Sequence, residues 1–179
     1  IPKSITSIGR STFRFCTSLV SVDMPDGLTS IGNDAFAMCA SLKNVNIPKS
    51  VTSIASGAFQ ETALVSITLP DNLTVIGDAL IRGCNNLTAI VIPKNIESIG
   101  EWVFNGCSNL TTIISEAITP PICESSYTFE GLGDNVTLYV PPVSVSAYKQ
   151  AEDWSDFSTI EAVPIEDLQI EDGDGFSQV

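Results

Sequence analysis

Four cysteines, Cys16, Cys39, Cys84 and Cys107, recur at one position of a repeating frame and are the residues most able to do chemistry in this chain. A column of thiols could ligate a metal or form a ladder of disulfides. Zinc sites want ligands clustered in Cys-x-x-Cys pairs, and none is present. Equivalent residues on stacked coils hold their Cβ atoms about 5 Å apart, longer than the ~3.8 Å a disulfide prefers. The column therefore reads as structural: small buried residues whose thiols touch backbone groups in a turn. Cys123 stands outside it and makes the total of five odd, so full internal pairing is impossible.

Other chemistries fare worse. The chain has no histidine, so Ser-His and Cys-His nucleophile pairs are excluded and the choice of general base at neutral pH narrows. Paired carboxylates could still hydrolyse a glycoside, with Glu124 or Glu130 as candidates. Asp172-Gly173-Asp174-Gly175 echoes part of a calcium loop. However, Ile170 occupies its first ligand position and no Glu follows at the required distance. The reading is a non-enzyme with no cofactor and no metal.

The elements that position these residues come from an internal repeat. Prolines fall at Pro2, Pro25, Pro48, Pro70 and Pro93, and six residues after each comes Ile8, Ile31, Ile54, Ile76 or Ile99. Five further on stand Phe13, Phe36, Phe59, Ile81 and Phe104. Leu19, Leu42, Leu64, Leu87 and Leu110 complete the frame, each followed three residues later by Val22, Val45, Ile67, Ile90 or Ile113. The Leu-x-x-Val-x-Ile run alternates and is β-branched, so it predicts a short strand with one buried face. The proline that follows has no N–H to donate and stops it. One such coil cannot bury its apolar face alone; stacked on its neighbours it can, with strands aligned in a parallel sheet.

The unit, seen in Ile-Pro-Lys-Ser-Val-Thr-Ser-Ile at 47–54 and followed by the Phe, Cys and Leu positions, resembles the BspA-type leucine-rich repeat of bacterial cell-surface proteins. The resemblance covers residues 1 to about 118. The stretch at 138–160 is similar to the segment that closes such arrays. It implies an α/β repeat solenoid: a right-handed leucine-rich repeat of about five 22–23-residue coils, with a parallel sheet and a C-terminal β/helix cap. It also implies an extracellular or surface-attached bacterial protein that binds a host or neighbouring-cell surface protein or glycan. A passive spacer that presents another domain is the alternative.

Three regions are expected: the solenoid at 1–118, a capping region at 119–164 and an acidic tail or linker at 165–179. Ile1 aligns with Met24, Ile47, Leu69 and Ile92, so the pattern is entered mid-unit. A preceding coil, and end-to-end self-association through that open face, are expected. In the capping region the sequence predicts an extended run at Thr137–Val140 and an amphipathic helix over 146–154, with Tyr148, Ala151 and Trp154 on one side. Residues 1–119 carry nine acids and seven bases, whereas 120–179 carry twelve acids and Lys149 alone. The net charge of −13 thus belongs to the C-terminal part, which disfavours nucleic acid and anionic membrane as partners. No apolar run approaches the ~20 residues of a membrane-spanning helix.

Two columns are expected to point outward from the sheet: Ser21, Asn44, Ser66, Ala89 and Thr112, beside Asp23, Asn46, Thr68, Val91 and Ile114. Short polar side chains suit hydrogen-bonded readout of a protein or glycan, so Asp23, Asn44, Asn46, Ser66, Thr68 and Val91 are candidate binding residues. Val91 and Ile114 either lie beneath the cap or form an exposed patch. Trp102 stands where other units have Ser11, Asp34, Gly57 and Ala79, and reads as a cap contact or an exposed anchor.

Overall fold

The structure, a computed structural model, describes residues 1–163. The tail at 165–179, with its Asp-Gly repeat, lies outside the described residues. The chain forms a parallel β-solenoid of about seven turns. Every turn returns the chain in the same direction, so every strand pairing is parallel.

Three hydrogen-bonded ladders run along the array. The first is the repeat's Leu-x-x-Val-x-Ile strand. Ser21–Asp23 pairs with Asn44–Asn46, Val22 opposite Val45. Ala89–Ile92 pairs with Thr112–Ser115, Ile90 opposite Ile113. Between them Val65 N–H donates to Lys43 O at 3.1 Å, and Ser66, Ile67 and Thr68 keep the exposed–buried–exposed alternation. The second ladder is built on the post-proline isoleucines, with Ile8, Ile31 and Ile54 in register and Ile76 opposite Ile99.

The third ladder is the turn opposite the sheet. Phe13 N–H donates to Ala35 O, Phe36 N–H to Ala58 O and Phe59 N–H to Leu80 O, each at 2.8–3.0 Å. Two residues per coil here have left-handed backbones. Ser11, Asp34, Gly57, Ala79 and Trp102 make one column; Phe15, Met38, Glu61, Gly83, Gly106 and Gly131 make the other. A right-handed helix cannot contain them. That is why the α half of the expected α/β unit is absent from the repeats. Among the described residues the one α-helix is Val145–Tyr148.

The Phe column fills the core. Phe36 stacks on Phe13 at 5.1 Å and on Phe59 at 5.4 Å, with nearly parallel rings. These spacings follow from the coil-to-coil rise of roughly 4.8 Å. Phe104 stacks likewise on Phe129 at 5.5 Å, and Ile81 interrupts the column between Phe59 and Phe104.

The sheet continues two coils beyond the five legible units. Thr137–Val140 adds to Thr112–Ser115, and Thr159–Ala162 adds to Thr137–Val140. The region expected to cover the last coil thus begins by extending it. Ser115, which breaks the apolar pattern, is buried and within 2.7 Å of the Tyr148 hydroxyl, which donates to Ala117 O. Trp154 Nε1–H donates to Pro121 O at 2.8 Å, and its ring meets Phe129 and Tyr148 edge-on. The expected helix over 146–154 is shorter than the sequence pattern: it ends at Tyr148, and Asp153 turns left-handed with φ of 64°. Tyr148 and Trp154 still bury on the same side, through a turn instead of a continuous helix.

Candidate functional site

On the sheet face, Ser21, Asp23, Asn44, Asn46, Ser66 and Thr68 are all exposed. Strand register places Asp23 beside Asn46 and Ser21 beside Asn44. None of their side chains hydrogen-bonds within the described residues. Asparagines in the turns behave differently. Asn72 Nδ2 donates to Lys49 O at 2.7 Å, Asn95 Nδ2 to Asp71 O at 2.8 Å and Asn109 Nδ2 to Asn85 O at 2.7 Å. Those amides tie one coil to the next, whereas the sheet-face amides make no such tie.

Further along, the outward column changes character. Val91, Ile114 and Tyr139 are in register and half-buried, followed by exposed Glu161. Tyr139 is their strand neighbour on the next coil, a residue the repeat frame could not supply. The face therefore grades from polar at Asn44 and Asn46 to apolar at Ile114 and Tyr139.

Trp102 lies on the turn side, away from these columns. It is 39% exposed, its backbone N–H donates to Tyr127 O at 3.1 Å, and its ring stacks on that of Tyr127 at 5.8 Å. Tyr127 is itself half-exposed. Trp102 thus contacts the C-terminal region and keeps an open face at once. Arg82, Asn105 and Glu130 join it around a pocket of about 220 Å³.

The cysteine column holds free thiols. Cys39 Sγ donates to Phe13 O at 3.1 Å, Cys84 to Phe59 O at 3.3 Å and Cys107 to Ile81 O at 3.2 Å. In the unit lacking cysteine, buried Thr62 donates to Phe59 O and sits 3.2 Å from Cys84 Sγ. The Thr62 hydroxyl bonds a carbonyl of its own coil, where each thiol reaches the coil before. Burial pushes the Cys107 thiol up to about 12, with Cys84 adding to the effect, so it stays a protonated donor.

The family profile of the BspA type leucine rich repeat region matches residues 1–131 in six copies. The chain belongs to this family. Solved structures agree with the assignment. A leucine-rich repeat protein of T. pallidum is 29% identical, over 64% of this chain and 56% of its own, with a TM-score of 0.61. A leucine-rich cell surface protein of Faecalibacterium prausnitzii is 27% identical, over 82% of this chain and 32% of its own, with a TM-score of 0.55. The pneumococcal vaccine antigen PcpA shares the fold, with a TM-score of 0.73 over 92% of this chain and 40% of its own, at 24% identity. The chain thus spans between a third and a little over half of these proteins. No curated protein sequence matches it significantly.

In this BspA-type array one further groove, of about 840 Å³, opens at the corner after the sheet. Asp71, Lys94, Glu97 and Glu116 line it together with Ile118 and Pro120. Lys94 pairs with Asp71 at 3.7 Å, both well exposed, which is worth little. Burial raises the Glu116 carboxyl, Asp71 raises it further, and Lys94 partly offsets them. Among the described residues no cluster of three His, Cys, Asp or Glu could hold a metal ion. No helix among them is long and apolar enough to cross a membrane. Tyr127 and Tyr139 escaped the sequence reading because they lie 25 residues from Trp102 and Ile114, outside the 22–23 spacing of the frame. Arg82, Asn105 and Glu116 lie in frame at positions whose side chains vary from coil to coil.

Proposed function

We propose that this BspA-type array is a recognition or adhesion module on a bacterial surface, working through its sheet face and without catalysis. The observation that carries the reading is the unspent hydrogen-bonding capacity of Asp23, Asn44, Asn46, Ser66 and Thr68, exposed on a rigid sheet. Ser21–Asp23 and Asn44–Asn46 are held in a parallel ladder, so a partner meets there a surface with little ordering left to lose. Seven coils span roughly 30 Å, enough for a standard interface of about 800 Å² per partner. Val91, Ile114 and Tyr139 supply an apolar anchor at one end of that surface, and the polar columns lie at the other. The occupant is a host or neighbouring-cell surface protein, or a glycan it displays. The likeness to a cell surface protein of F. prausnitzii supports this location. Residues 1–118 carry the polar face, and 119–163 close the array.

The test is binding of the full chain to extracellular-matrix proteins and a glycan array at two salt concentrations. A saturable hit should weaken at least about tenfold in the Asn44→Ala/Asn46→Ala/Thr68→Ala variant. Undiminished binding by a folded triple variant removes the sheet face from the reading. Silence across both panels transfers the role to a passive spacer.

A further inference from the structure

A second surface, on the turn side, has the chemistry of a sugar site. Position 102 belongs to the left-handed column, where Ser11, Asp34, Gly57 and Ala79 are all small. A bulky side chain is rare at positive φ, and such strain persists where the surroundings over-determine it. Trp102 is not there to fill the core: it is 39% exposed, whereas Trp154 is 1% exposed. One face of its indole is taken by Tyr127. On the coil before it the equivalent residue is Ala79, a methyl group, so no second ring stacks there among the described residues.

Around that indole the array brings together Arg82 from the preceding coil, Asn105 from the same coil and Glu130 from the following one. Arg82 Nε donates to Asn105 Oδ1 at 3.3 Å, which orients the guanidinium and leaves its terminal nitrogens and Asn105 Nδ2 as donors. Neither Arg82 nor Glu130 forms an ion pair among the described residues, although both line the same pocket. A guanidinium donates only, a carboxylate accepts only and an amide does both. A ligand that satisfies all three must offer donors and acceptors side by side.

We propose that this pocket binds one neutral pyranose ring of a glycan. Each sugar hydroxyl both donates and accepts, so vicinal hydroxyls can accept from Arg82 and donate to Glu130 together. The ring's C–H face carries slight positive charge and stacks on the negative face of the indole. The pocket's volume of about 220 Å³ lies below the roughly 300–1,000 Å³ of sites for drug-sized ligands. It therefore admits one ring, with the rest of the chain outside. Glu130 and the protein's net charge of −13 select against uronic acids and sulfated sugars. This site is distinct from the sheet face and does not depend on it.

The chain has two tryptophans, and only Trp102 is exposed, so its fluorescence reports directly on the pocket. The experiment titrates the full chain with neutral gluco-, galacto- and manno-configured tetrasaccharides and follows emission and binding heat. At least one should give a saturable emission change. Its affinity should fall at least about tenfold in Arg82→Ala and in Glu130→Gln, variants at solvent-facing positions that leave the core intact. Trp102→Ala should lose the binding heat while keeping its melting transition, and the Asn44→Ala/Asn46→Ala/Thr68→Ala variant should retain it. A matching tetrauronate should bind at least about tenfold more weakly. No saturable change with any neutral sugar into the millimolar range overturns the proposal, as does binding that survives Arg82→Ala and Glu130→Gln unchanged.

Discussion

Cys107 donates its thiol proton to the carbonyl oxygen of Ile81, 3.2 Å away on the preceding coil. Cys39 does the same to Phe13, and Cys84 to Phe59. The Phe13 and Ile81 carbonyls also accept from the backbone N–H groups of Cys16 and Cys84, at 3.0 and 3.1 Å, and Phe59 O also accepts from the Thr62 hydroxyl. Each thiol is therefore a second donor that ties its coil to the one before. Losing one such hydrogen bond would cost about 0.5–1.5 kcal/mol.

These buried thiols make stability fall in alkali. The folded-state value for Cys107 stands at about 12, above the ordinary 9.0. Its contribution is therefore complete below pH 9 and is lost as pH rises through 12. Melting temperature should fall across that window, less steeply in Cys107→Ala. Under native conditions an alkylating reagent should modify exposed Cys16 first and reach Cys84 and Cys107 only with global unfolding. Equal labelling rates at Cys16 and Cys107 would refute the hydrogen-bonded column.

Phe36 is packed on both faces, so Phe36→Ala should cost more than truncation at the end of the column. The expected loss is about 3–5 kcal/mol by urea unfolding. Phe36→Leu keeps most of the volume and should lose appreciably less. Phe13, half-buried and stacked on Phe36 alone, should lose less than Phe36 on the same change to Ala.

How far the fold could be read from sequence follows from which residues carry it. Phe36, Ile54 and Leu42 each repeat in register, so one coil's contacts predict the next. Leu138 and Ile160 occupy the same core column as Ile113, but no Ile-Pro-Lys follows Ser115, and the frame gives no handle on them. Ser115 interrupts the apolar pattern with a hydroxyl that faces Tyr148, 33 residues on. Asn44 and Asn95 are identical letters; only the structure separates the free amide from the one spent on Asp71 O. The pairing of Trp102 with Tyr127 joins two coils 25 residues apart, outside the 22–23 spacing of the others.

Glu116 should respond to pH in the direction set by its burial. Its carboxyl lies above the ordinary 4.5, first through desolvation and then through Asp71, so the folded state holds its proton more tightly than the unfolded chain. Folding is penalised as pH rises from 4.5 through the folded-state value. Glu116→Gln should therefore raise the melting temperature at pH 7, by an amount that shrinks to nothing below pH 4.5. Lys94→Ala, which removes the offsetting cation, should lower it at pH 7. An unchanged melting temperature in Glu116→Gln would mean that the corner groove is hydrated enough to screen the charge.

Tyr148→Phe should test whether the region after Ser115 is joined to the array by a specific bond or by apolar contact alone. The phenol is fully buried and gives its proton to Ala117 O, so the Ser115 hydroxyl must be the donor in their 2.7 Å contact. Removing the phenol oxygen leaves both Ser115 Oγ–H and Ala117 O without partners in a dry site, at a cost of about 1–3 kcal/mol. Ser115→Ala alone should cost less, because Tyr148 keeps its bond to Ala117. The double variant should be more stable than the sum of the two singles implies, with a coupling of about 0.5–3 kcal/mol. Burial also lifts the phenol to about 12, so its absorbance should not titrate before the protein unfolds in alkali. Strict additivity in the cycle would show that Tyr148 and Ser115 do not share a bond that matters. The interruption of the apolar pattern at Ser115 would then be drift, with the last two coils held by Phe129, Trp154 and the sheet ladder.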